Sequence, residues 1–503
     1  MQHPFVYEIN TWVWLNELAR RDGTVSDLAS IPADEWDAIR DLGFDAVWLM
    51  GVWERSPAGI ATALENQGLT DSFRRALPDY RHADVVGSAY CIRDYSVASH
   101  LGGPASLAAA REALAERGLM LILDFVPNHV APDHPWTVAH PEYFVRGSED
   151  DLAGDPASFV RVGDSVLANG RDPYFPAWPD VVQLNAFSPD LRAAAAETLT
   201  SIAAQCDGVR CDMAMLTMND TFERTWGERG GPRPDADYWP TVIPAARSAY
   251  PDFLFIAEAY WDLESALQQQ GFDYCYDKRL YDRVVHDGAE QVRGHLAADT
   301  SYQTGLARFI ENHDEPRAAA TFAGGKERAA TVVALTQMGA RIVHEGQLEG
   351  RKVHLPVFLA RRPDEPVDTE LKAFHERLLT ALRDPVFRKG DWQLAESSGW
   401  EGNDTWQNLV AWGWRGESRR LVVVNLSDRP AAGHVSLPWD ELRGQAWELD
   451  DASDGERYER SGDELRTGLY VALEPWSWHL FTLTPKAVHQ HDSIHAAADE
   501  IGV

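Results

Sequence analysis

Cysteine is scarce in this chain: four among 503 residues, Cys91, Cys206, Cys211 and Cys275. They are scattered, without metal-ligand spacing, and read as buried free thiols in a reducing cytosol. Positive charge is also short. Lys plus Arg number 46 against 78 Asp plus Glu, a formal net charge of −32. Such a surface repels nucleic acid and anionic membranes and suits a neutral partner, or serves solubility alone. No apolar run approaches the ~20 residues of a membrane span; residues 119–126 are too few and include Asp124. The start, Met1-Gln2-His3-Pro4-Phe5, lacks the basic residues and apolar stretch of a secretory leader, so a cytoplasmic location is expected. No internal repeat is visible.

What is present is a set of four short segments. They are Asp124-Phe125-Val126-Pro127-Asn128-His129, Gly208-Val209-Arg210-Cys211-Asp212, Ile256-Ala257-Glu258-Ala259 and Glu311-Asn312-His313-Asp314. Each is an apolar run ending in charged or imidazole residues, the pattern of a barrel strand with a buried body and a reactive C-terminal end. Three carboxylates arrive this way: Asp212, Glu258 and Asp314. Cleaving a glycosidic bond takes one carboxylate as nucleophile and a second as proton donor and acceptor; a third can position the sugar.

Arg210 precedes Asp212 by two residues, so both lie on one face of a strand. A cation that close keeps the carboxylate ionised, as a nucleophile requires. A purely structural Arg–Asp pair is the plain alternative, and four segments in order weigh against it. Glu258 follows the apolar residues 253–257, and a hydrophobic wall raises a carboxyl pKa toward that of a general acid. The alternative there is a rim glutamate in a salt bridge. A retaining reaction would set the Asp212 and Glu258 carboxyls about 5–5.5 Å apart.

In this order the segments resemble the α-amylase superfamily of retaining glycoside hydrolases, glycoside hydrolase family 13, over residues 5–485. The resemblance implies that Asp212 forms the covalent glycosyl-enzyme with Arg210 orienting it, and that Glu258 is the acid/base. It implies that Asp314 holds the 2- and 3-hydroxyls of the reacting sugar, that His129 and His313 hydrogen-bond that sugar, and that Tyr90 stacks on it. Asp124 would support the site. Asn128 falls where many members place a calcium ligand. In endo-acting amylases a lysine and a histidine occupy the places of Met215 and Leu216; their loss here argues against long starch as substrate and against that calcium. No cofactor and no metal are therefore expected. Trp261, with Trp136, Tyr174, Phe175 and Trp178, is expected on active-face loops as a sugar platform.

The expected architecture is α/β: a (β/α)8 TIM barrel with an inserted domain B and a C-terminal antiparallel β-sandwich. The barrel takes residues 1–129 and 186–388, domain B 130–185, the sandwich 389–485, and a frayed tail 486–503. Residues 53–94 read as a long polar loop over the rim. Nine tryptophans between residues 391 and 480 fit sandwich packing better than sugar binding.

The function expected is hydrolysis of α-glucosidic bonds in short oligosaccharides or small α-glucosides. The partner is a small sugar, with neither nucleic acid nor membrane; the oligomeric state is open. A transglycosylase, isomerase or phosphorylase on the same scaffold is the alternative. A non-catalytic sugar-binding relative is a further one, and the retention of Asp212 and Glu258 speaks against it.

Overall fold

The computed structural model describes residues 2–486. Eight strands, each parallel to its neighbours, close into a barrel. In chain order they are Phe5–Asn10, Ala46–Met50, Met120–Phe125, Gly208–Cys211, Leu254–Ala257, Tyr274–Tyr276, Leu306–Arg308 and Ala340–His344. Their residues are almost all buried, because one face of each strand looks into the barrel and the other meets helices. Val6, Trp48, Ile122, Ile256, Tyr276 and Ile342 belong to one apolar cluster there. Gly339 precedes the eighth strand at φ +83°, where a Cβ would lie 2.1 Å from the Leu306 carbonyl oxygen, so only glycine lets the seventh and eighth strands meet.

Residues 53–94 are folded, contrary to the loop expected from their polarity. Trp53–Arg55 pairs antiparallel with Ile92–Val97, and helices Pro57–Glu65 and Gln67–Ala76 lie between. Helices this short are marginal alone. Ser56 Oγ accepts from the Gly59 N–H at 2.8 Å and Asn66 Oδ1 from Leu69 N–H at 3.1 Å, which caps both. Their apolar sides then close on Val353, Leu355, Phe358 and Leu359, partners far along the chain that local pattern does not reveal.

Residues 130–185 hold a four-stranded antiparallel sheet in the order His129–Val130, Trp178–Gln183, Ser165–Gly170, Phe159–Val162. It interrupts the chain between the third barrel strand and the helix Pro189–Ala203 and is part of the barrel's compact unit, not a unit of its own. That unit runs to Asp287 and resumes from Gly294 to Arg383; the second takes Gly288–Arg293 and the described chain from Asp384 on. Asp384 thus opens the main segment of the second unit. Asp384 pairs with Arg420 at 2.7 Å, and the Phe387 ring lies 5.7 Å from that of Trp414, which ties the junction to the second unit.

The second unit has a six-stranded and a three-stranded antiparallel sheet. Leu409, Leu421 and Val423 from the first share a core with Val435, Leu469 and Val471 from the second. Trp412, Trp414, Trp439 and Trp447 are fully buried, as packing requires, whereas Trp400 is 46 % exposed. The tail expected at 486–503 lies outside the described residues except for Lys486, which pairs with Glu459. Among the described residues no helix is long and apolar enough to cross a membrane. All four cysteines are free and buried.

Candidate active site

Barrel register brings the four segments together. Arg210 pairs with Asp124 of the third strand and Ile256 of the fifth. Asp212 N–H donates to the Phe125 carbonyl at 2.8 Å and Glu258 N–H to the Cys211 carbonyl at 3.0 Å, so both carboxylates leave the barrel at the same level.

Arg210 is fully buried among three carboxylates. Its Nη1 donates to Asp212 Oδ1 at 2.8 Å. Its Nη2 lies 2.9 Å from Glu258 Oε2 and 3.7 Å from Asp314 Oδ2, off the hydrogen-bond line, so these contacts are electrostatic rather than directed. The guanidinium carbon sits 5.0 Å over the Tyr90 ring, 5.5 Å over Trp48 and 5.7 Å over Tyr276. Aromatic faces and carboxylates together hold this one cation in place.

The carboxyls differ in environment. Glu258 accepts from Met213 N–H at 2.5 Å and from the Tyr260 hydroxyl at 3.0 Å. Burial pushes its pKa to about 7, Arg210 pulling down and Asp212 and Asp314 pushing up. Met213 reaches Glu258 through left-handed backbone, φ 42°, uncommon for a side chain of its kind. Asp314 moves the other way. Burial would raise it, but His313, 3.0 Å away, and Arg210 hold it at about 2. Its side chain is 42 % exposed and lines the cavity.

His313 is pinned from both sides. Its Nδ1 is 2.5 Å from Glu8 Oε1, and its Nε2 is 2.7 Å from the Tyr90 hydroxyl. Burial disfavours the imidazolium, but Asp314 and Glu8 override it and raise the pKa to about 10. Asp124 lies beneath, accepting from the Trp48 indole at 3.1 Å and Gly51 N–H at 2.9 Å, and burial lifts its carboxyl to about 6.

Tyr90, His129, Asp212, Glu258 and Asp314 line one cavity of about 350 Å³. Arg210, His313 and Asp124 stand immediately behind it. Of the expected platform, only Trp178 lines the cavity, its ring 5.2 Å from that of His129. Trp261 does not; its ring meets that of Tyr174 edge-on at 4.8 Å, with backbone at φ 59°. Trp136 packs against Tyr143 and His134. Sequence reasoning missed Glu8, Met213, Tyr260 and Phe358. Glu8 had a signal, a lone charge inside the apolar strand Phe5–Asn10, and Tyr260 follows Glu258 by two; nothing local marked Phe358.

Met215 and Leu216 are buried in a short helical turn after the fourth strand and do not line the cavity. Asn128 Oδ1 accepts from Gln183 Nε2 at 2.8 Å, and its amide nitrogen faces Gln183 and His129. That amide-and-imidazole network does not fit a calcium ion, which needs six to eight oxygens. Among the described residues no three His, Cys, Asp or Glu side chains gather as a metal site.

A family model described as α-amylase, catalytic domain, matches residues 19–412. The α-amylase MalA of Haloarcula japonica is 24 % identical over 449 residues, covering 86 % of this chain and 56 % of that protein. An α-1,4-glucan:maltose-1-phosphate maltosyltransferase of Rhodospirillum rubrum is 23 % identical over 489 residues, covering 92 % of this chain and 63 % of its own. The chain thus spans less than two thirds of either relative. The maltogenic α-amylase AmyB of Thermotoga neapolitana superposes with a TM-score of 0.67 at 18 % identity, over 97 % of this chain and 100 % of that one, a likeness of fold. With the family model spanning most of its length, the chain belongs to the α-amylase family, glycoside hydrolase family 13.

Proposed function

We propose that the chain is a retaining glycoside hydrolase that cleaves α-glucosidic bonds of short oligosaccharides or small α-glucosides. One observation carries the reading: a single buried guanidinium holds three carboxylates at one cavity, and the environment pushes the proton affinity of Glu258 up and that of Asp314 down. Asp212, charge-paired with Arg210, attacks the anomeric carbon. Glu258 gives its proton to the departing glycosidic oxygen as the bond to carbon breaks. Glu258, now a carboxylate, takes a proton from water, whose oxygen attacks the same carbon and frees Asp212. Asp314, held ionised, accepts from sugar hydroxyls and favours the developing positive charge. His129 and Tyr90 bound the sugar.

Replacing water by a sugar hydroxyl makes the same intermediate a transfer reagent. The maltosyltransferase among the relatives supports keeping that outcome open. Proton NMR with maltose, maltotriose, isomaltose, trehalose, sucrose, glucosylglycerol and soluble starch separates the two. Hydrolysis is expected, with α-anomeric glucose first from a short substrate. New glycosidic signals without free glucose would make the protein a transferase or isomerase, and a first-formed β-anomer would end the retaining reading.

The pH profile follows from Glu258. The acid must be protonated, so kcat/KM is expected to fall as pH rises through about 7. His313, raised to about 10, stays charged over that range and adds no limb. A flat profile from pH 6 to 9 would assign the proton elsewhere. Calcium has no part at Asn128 in this reading, and chelator treatment is expected to leave Tm unchanged; a fall of several degrees in a thermal melt would reverse this. Four buried unpaired thiols support a cytoplasmic location.

A further inference from the structure

The barrel order is first, eighth, seventh, sixth, fifth, fourth, third, second. The fifth strand, which carries Glu258, therefore stands opposite the first, and the second and eighth flank the first. A leaving group must sit beside Glu258 to receive its proton. The far end of the glycosyl unit then points toward the rim above the second, first and eighth strands.

At that rim the segments following the second and eighth strands are laced together. Val85 bridges Leu359 antiparallel. Val86 N–H donates to the Phe358 carbonyl and Ala360 N–H to the Asp84 carbonyl, each at 2.9 Å. Arg361 grips Asp84 with two bonds, 2.7 and 2.9 Å, and reaches Asp79 at 3.0 Å. Buried Arg55 donates to the Gly87 carbonyl at 2.7 Å and the Val357 carbonyl at 3.2 Å. Beneath them Phe73, Leu77, Val85 and Leu359 form a common apolar core. His354 donates to the His313 carbonyl at 2.9 Å, joining this structure to the site. The side facing the cavity is Ser88, Tyr90 and Phe358.

A flap would be held by few bonds and little apolar burial; this is a built wall with a core, a backbone ladder and a bidentate ion pair. The cavity in front of it, about 350 Å³, lies near the low end of the range of roughly 300–1,000 Å³ for ligand sites. We propose that the wall formed by residues 79–90 and 354–361, stapled by Asp84 and Arg361, limits the donor to a single glycosyl residue, so that the enzyme attacks only the non-reducing terminal unit. The inference rests on the glycosidase reading above. The substrate class is α-glucosides whose transferred part is one sugar. Asp84 and Arg361 act by positioning the wall and touch no substrate.

α-Glucosyl fluoride and α-maltosyl fluoride test this, since fluoride leaves without needing an acceptor-side fit. The early products are followed by NMR as fluoride with glucose, or fluoride with intact maltose. The wild-type chain is expected to consume glucosyl fluoride with a kcat/KM at least about 100-fold above that for releasing intact maltose. Comparable rates, or release of maltose alone, would overturn the wall. Consumption of neither fluoride would overturn the glycosidase reading and the inference with it. In folded Arg361→Ala, or Asp84→Ala should the first not fold, intact maltose release is expected to gain at least about tenfold relative to glucosyl fluoride. An unchanged ratio in a folded variant would remove the staple from the assignment.

Discussion

Asp212→Asn is expected to lower kcat for any accepted α-glucoside by on the order of 10⁴-fold or more while leaving sugar binding within about threefold. Asparagine keeps the shape of the side chain and can still accept from Arg210, now 2.8 Å from Asp212 Oδ1, so the cavity wall need not move. What is lost is the anionic oxygen that must bond to the anomeric carbon. The neutral side chain also withdraws one of the charges that keep Glu258 protonated. The Glu258 pKa should therefore move down, and any residual activity should fall at lower pH than in the wild type. Steady-state rates on α-glucosyl fluoride, with calorimetric titration of a bound sugar, read both effects. Turnover within tenfold of wild type would remove Asp212 as nucleophile, and loss of binding together with turnover would make it a structural partner of Arg210.

Glu258→Gln is the second large effect, and it should depend on the leaving group. Losing the proton donor costs about 10²–10⁴-fold on an unactivated glucoside, whose alkoxide leaves poorly. Glucosyl fluoride needs no proton for departure, so its first step should suffer much less. The amide still accepts from Met213 N–H and meets the Tyr260 hydroxyl, so local structure should hold. The alkaline limb of kcat/KM near pH 7 should vanish, because the group that titrates there is gone. Equal losses in kcat/KM, which reports the first step alone, on both substrates would show that Glu258 is not the acid, and a surviving limb would place the titration on another group.

The strand bodies were legible because burial on both faces demands uninterrupted apolar sequence. Val209, Phe255 and Ile342 announce themselves without any knowledge of their neighbours. Charged residues at the ends of such runs stand out for the same reason, since a strand end is the one place in a barrel where a charge reaches a cavity. That is why Asp212, Glu258, His313 and Asp314 could be named from the chain alone. The helices of residues 57–76 could not. Their burial depends on residues 353–359, and a short helix whose partner is 277 or more positions away carries no local signature of it. Trp261 was expected on an active-face loop as part of a sugar platform, yet its ring meets that of Tyr174 and it does not line the cavity.

By itself, then, the sequence determined the barrel, the order of its reactive strand ends and the pairing of Arg210 with Asp212, because these depend on periodicity and on residues two apart on one strand. Only the tertiary structure decided that one guanidinium serves three carboxylates, that Glu8 grips His313 from the first strand, and that the rim segments after the second and eighth strands close on each other. Each of these is a contact between distant parts of the chain. Closure of the barrel and the stagger of its strands set such contacts, and no local pattern of residues encodes them.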